Sequence, residues 1–151
     1  MSRLQKLQRL TDYLAGLNVG CRHGGDPIKP IMTTAQSDAT SKLAHLSGVQ
    51  VLVARPETHQ TGNSDGCEDS LGTAIFVLEK GLGLDRNTEA ENAQYAKLLT
   101  VAGQILSVIT EETSDQWCKL VTGLSLSAVD VVPEASLFGG WAGYSIELTF
   151  E

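Results

Sequence analysis

The last eight residues limit the possible folds of this chain more than any other stretch. Tyr144, Ile146, Leu148 and Phe150 alternate with Ser145, Glu147, Thr149 and Glu151. A period of two puts the apolar side chains on one face of a strand and the polar ones on the other. Taking four such side chains out of water is worth about 6–12 kcal/mol at most. The chain therefore ends in a half-buried strand that closes a sheet.

A covering helix is legible upstream. Thr88 and Glu91 have capping-box spacing, and Glu89 and Glu91 suit the positive end of a helix dipole. Ala93, Ala96, Leu99, Ala102, Leu106 and Ile109 then form a stripe that Leu98, Val101, Ile105 and Val108 widen. A helix of about 23 residues is ~35 Å long, enough to cross a sheet. Small residues at Ala93, Ala96, Ala102 and Gly103 allow close approach. Near the start, Leu4, Leu7, Leu10, Leu14 and Leu17 recur at spacings of three and four. They mark a helix that stops at 17–19, where Gly16 and Gly20 supply a left-handed end. It packs on its own sheet or docks on a neighbouring subunit.

Val49–Ala54 is almost continuously apolar, which fits a strand covered on both faces and ended by Pro56. Thr73–Glu79 is a second buried strand. Val121–Val132 changes the parity of its apolar residues between Ala128 and Val129, which predicts a bulge, and Pro133 ends it. Glu134–Gly143 connects this strand to the last. The expected fold is α+β in the order α-β-β-α-β-β. It has a mainly antiparallel or mixed four-stranded sheet with helices packed on one face. Two stretches carry little pattern: an irregular insertion at 21–44, with a short helical turn at Ser37–Leu46, and a polar mobile loop at 57–70.

Composition narrows the function classes. The 151 residues suit a single domain, 1–151, and 42% apolar with 19% charged residues suits a packed core. A net charge of -7 argues against a free-standing nucleic-acid binder but suits a wall past which DNA slides. Cys21, Cys67 and Cys118 form no CxxC pair and read as free thiols in a reducing compartment. Arg3, Lys6, Arg9 and Asp12 interrupt any signal-peptide core, and no apolar run approaches the ~20 residues of a membrane span. A cytoplasmic chain is expected.

No motif of catalysis stands out: there is no GxSxG elbow, Walker lysine loop, HExxH or dinucleotide fingerprint. Cys21, His23 and Asp26 lack a further metal ligand nearby, and His45 and His59 lie far off in sequence. Asn63–Gly66 resembles part of a calcium loop, but Glu68 and Asp69 are misplaced for one. Asp130, half buried in a strand, is a lone carboxylate. The expectation is a non-enzyme with no cofactor and no metal.

One resemblance adds to this. Val129, Val131, Val132 and Pro133, followed by Phe138, Gly140, Trp141, Gly143, Tyr144, Ile146, Leu148 and Phe150, make a closing hairpin. Set at the end of the α-β-β-α-β-β layout, that hairpin resembles those of tailed-phage tail terminators and head–tail joining (neck) proteins. The segment 21–44 is longer than that layout calls for. The resemblance implies a virion or prophage component without enzymatic activity. Its protomers form a ring, commonly hexameric, at the end of the tail tube and help join tail to head. Its partners are copies of itself and other tail or neck proteins, with no membrane. No sequence-specific nucleic acid is bound, and DNA passes through an acidic lumen. Thr58, His59, Asn63 and Asp65, with Glu134, Leu137, Phe138 and Trp141, are the expected subunit or tube contacts. The alternative is a small-molecule or peptide-binding α+β module using the face between the long helix and the sheet. Such a module requires a preformed pocket with convergent polar groups.

Overall fold

The alternating C-terminal segment is a strand, and it lies near the middle of the structure. The computed structural model describes residues 2–17, 28–63, 66–82, 87–112 and 126–151. Within these the elements are α1 (Arg3–Ala15), β1 (Ile31–Thr33), α2 (Gln36–Leu43), β2 (Gln50–Ala54) and β3 (Glu57–Asn63), then β4 (Gly66–Lys80), α3 (Thr88–Glu112), β5 (Leu126–Leu137) and β6 (Trp141–Phe150). They form a mixed α+β fold. Its sheet has six strands rather than the expected four, in the order β1-β2-β4-β6-β5, with β3 also beside β4. The β1–β2 pair is parallel and the others are antiparallel.

The two extra strands come from the stretches that sequence left irregular. Residues 57–63, expected as part of a loop, pair with β4 from Glu57↔Gly72 to Asn63↔Gly66. A run of Thr, His, Gln and Asn has no apolar alternation because this ribbon has little core to face. The insertion at 21–44 contains β1 and α2, whereas residues 21–27, with Cys21, His23 and Asp26, lie outside the described residues.

Helices cover both faces of the sheet, not one. Leu10 and Leu14 of α1 and Leu98, Val101, Ala102, Ile105 and Ile109 of α3 pack on Val51, Val53, Ile75, Val77, Ile146, Leu148 and Phe150. On the opposite face Ala39 and Leu43 of α2 meet Leu52, Leu78 and Trp141. Val51, Leu52 and Val53 are all fully buried as a result, which explains why β2 reads as a continuous apolar run.

The helix ends and faces differ in detail from the sequence pattern. The α1 helix starts on a capping box, Ser2 Oγ accepting from Gln5 N (3.2 Å) and Gln5 Oε1 from Ser2 N (2.8 Å). It ends at Ala15, and Gly16 has φ −95°, so no left-handed glycine closes it. Leu4 is 70% exposed and does not join the core. For α3 the cap is Asn87, not Thr88: Asn87 Oδ1 accepts from Ala90 N at 2.9 Å. Its buried ridge is Gln94, Leu98, Val101, Ala102, Ile105 and Ile109, while Leu99, Ala93, Ala96 and Gly103 are exposed.

The bulge expected between Ala128 and Val129 is not there: the register with β6 runs unbroken from Ala128 to Glu134, and the irregularities lie between Leu126 and Ala128 and between Glu134 and Leu137. Pro133, expected to end that strand, sits inside it opposite Tyr144, and the strand runs on to Leu137. A proline is tolerated there because β5 is an edge strand.

Candidate functional site

β4 is the longest strand, and the expected contact residues lie at its two ends. At its start β4 outruns β6, whose pairing begins at Leu71↔Phe150. Residues 59–63 and 66–70 therefore make a two-stranded arm extending about 17 Å beyond the last β6 residue. His59 is exposed on this arm, Thr58 is half-buried at its root opposite Leu71, and Asn63 pairs with Gly66 at its far end. Asp65 lies outside the described residues. The root of the arm is tied down: Arg3 Nη1 donates to Gln60 Oε1 (3.1 Å) and Ser70 Oγ to the His59 carbonyl (3.3 Å).

At the other end of β4, Trp141 pairs with Lys80, and Leu137 pairs with Trp141 across the β5–β6 turn. Trp141, expected as a contact, is buried within the chain's own core. It is 2% exposed and fills the cluster of Ala39, Leu43, Leu52 and Leu78, because the sheet has a second covered face. Phe138 and Leu137 are half-buried against the same cluster, and Phe138 meets Phe76 edge-on with ring centroids 5.3 Å apart. Glu134 is held from two sides: its Oε1 accepts from Ser145 Oγ (3.0 Å) and its carbonyl from Tyr95 Oη (2.7 Å). The turn stays tight through Phe138, Gly139 and Gly140, with φ 48°, 89° and 105°. Ser136 also adopts a positive φ of 55°, unusual outside glycine and a local store of about 1–2 kcal/mol of strain.

Beside this turn is a cleft of about 350 Å³ between the first turns of α3 and the sheet, lined by Lys80, Glu91, Gln94, Tyr95, Ser136 and Ala142 among others. Gln94 is buried, and its Nε2 donates to Glu79 Oε1 (3.1 Å) and the Lys80 carbonyl (3.0 Å). Both amide hydrogens are thereby committed, which fixes the side chain.

A third feature escaped the sequence reading. β5 borders the sheet, and Val129, Val131 and Val132 are 40%, 39% and 38% exposed. Asp130, expected half-buried, is exposed among them. The signal was present in the sequence, since proline within an apolar run marks an edge strand.

Among the described residues no three His, Cys, Asp or Glu side chains come together as a metal site. His45 and His59 are both exposed. Among those residues, too, no helix is long and apolar enough to cross a membrane. No protein-family model matches this chain, and no curated protein matches it at a significant level.

Proposed function

We propose that this chain is a structural subunit that assembles with copies of itself into a ring, as a tail terminator or neck protein does at the end of a phage tail tube, and so helps join tail to head. The observation that carries this reading is the arm of β3 and β4. An isolated two-stranded ribbon is at best marginally stable in water, and this one reaches past the core that supports its root. Its natural use is contact with a neighbour. The arm and the β5–β6 turn lie at opposite ends of β4, and head-to-tail ring closure needs two different patches on each subunit. The net charge of -7 suits a lumen that lets DNA pass without gripping it.

Deleting Thr58–Asp65 tests the reading. Circular dichroism should show the fold retained, with a stability loss of about 1–2 kcal/mol. Sedimentation velocity should show that assembly is lost. Unchanged sedimentation after the deletion would remove the arm from any role in assembly.

The cleft favours a second reading, a small-molecule or peptide-binding module. It has the volume range of a ligand site and polar groups fixed on its wall. A fragment screen read by amide chemical shifts discriminates: hits converging on Gln94, Tyr95 and Ser136 would favour the module, and a silent cleft would leave the ring.

A further inference from the structure

Gln94 is a buried amide of which only half is used. It is 6% exposed, and its Nε2 gives both hydrogens away, to Glu79 Oε1 (3.1 Å) and to the Lys80 carbonyl (3.0 Å). Both partners are acceptors, so chemistry fixes which way the amide faces: the nitrogen meets them and the oxygen cannot. The group is planar, and its oxygen is therefore turned away from the end of β4, toward the cleft that Gln94 lines. No described residue donates to that oxygen, although a side-chain carbonyl has room for two hydrogen bonds. Among the described residues the side-chain oxygen that is sealed in without a partner is that of Gln104; Gln94 Oε1, by contrast, opens to the cleft.

The surroundings of this oxygen are negative and firm. Glu91 lies one turn before Gln94 and Tyr95 on α3, so the three share a helix face, and Glu91 lines the cleft half-buried. Lys80 contributes its main chain: it stands opposite Trp141 in the β4–β6 ladder, so its side chain leaves on the α2 face of the sheet. Among the described residues that line the cleft, one carboxylate and no other cation remain. Leu82, Tyr95 and Ala142 add apolar surface. The walls are tied to one another, Tyr95 Oη donating to the Glu134 carbonyl (2.7 Å) and Gly81 N to the Gly140 carbonyl (2.8 Å). A site already held in shape loses little freedom when it is filled.

From this we propose that the cleft binds a small primary amine, whose ammonium donates to Gln94 Oε1 beside the Glu91 carboxylate while its apolar body lies against Leu82, Tyr95 and Ala142. An ammonium brings donors and no acceptor, which is what a lone carbonyl next to a carboxylate calls for. A carboxylate in the same place meets two like-natured oxygens, and a hydroxyl gains nothing from the charge of Glu91. A volume of about 350 Å³ is at the lower end for ligand sites, which favours a small molecule over a peptide segment. The inference rests on the cleft being a ligand site, the second reading above, and is independent of ring assembly.

Titrating the full chain with benzylamine, benzyl alcohol and benzoate, followed by amide chemical shifts, tests this. The probes share a ring and differ in the head group. Benzylamine should bind about tenfold more tightly than benzyl alcohol, and benzoate should not bind. The side-chain amide signals of Gln94 should move with benzylamine, because the carbonyl of the same group accepts the new bond. Glu91→Gln should weaken benzylamine about fivefold and leave benzyl alcohol unchanged. Gln94→Met should abolish the preference for the amine; it also leaves the Lys80 carbonyl unpaired, so Glu91→Gln decides the matter if that variant fails to fold. Equal binding of the three probes in the cleft, or a preference for benzoate, would overturn the amine assignment while keeping the cleft as a ligand site. Silence of Gln94, Tyr95 and Ser136 toward all three would overturn both.

Discussion

Replacing Gly143 with alanine should remove the native state. A Cβ at this position would lie 2.0 Å from the Val77 carbonyl oxygen and 3.2 Å from Leu78 Cα, both backbone atoms of the adjoining strand. No rotamer change relieves a backbone clash, and the φ of 156° adds to the strain. β4 and β6 would have to part at Leu78↔Gly143, within the ladder that holds the core. A loss of about 4 kcal/mol or more follows, a large share of the stability of a domain this size. Denaturant titration, or failure to recover soluble protein, reads the outcome; a midpoint within error of the native chain would contradict this account of the packing.

Trp141→Ala should cost about 3–5 kcal/mol by leaving a cavity among Ala39, Leu43, Leu52 and Leu78. The measurement separates two roles for one residue. If Trp141 belongs to the core, its loss lowers the unfolding midpoint at any protein concentration and detaches α2 first, visible as faster amide exchange in Gln36–Leu43. If it were a subunit contact, stability would hold while the sedimenting mass fell. The buried position requires the first result.

The rhythm from Tyr144 to Phe150, the apolar run of β2 and the length of α3 were legible because each buries a face at its own period. The contacting ridge of α3 was harder to see. It begins at Gln94, a polar residue whose amide is committed to the end of β4, and a hydrophobicity pattern counts that position as solvent-facing. The same limit hid β3: its strand geometry comes from pairing with β4, not from apolar alternation, so Thr58 to Asn63 read as loop. Trp141 was expected at a subunit or tube contact, and α2 covers the face of the sheet on which it lies. At the candidate sites, 57–70 and 134–143 were singled out in sequence as contact segments, the first as a loop rather than a paired arm. The cleft arises only when distant segments meet, whereas Pro133 within its apolar run already marked β5 as an edge.

The arm and the Trp141 end belong to one continuous strand, Gly66–Lys80. A pull on the arm along that strand loads ten β6 pairs and four β2 pairs together. Such a load has to shear both ladders at once rather than unzip them rung by rung. A chain built this way carries tension along its longest strand, while its helices bear almost none of it.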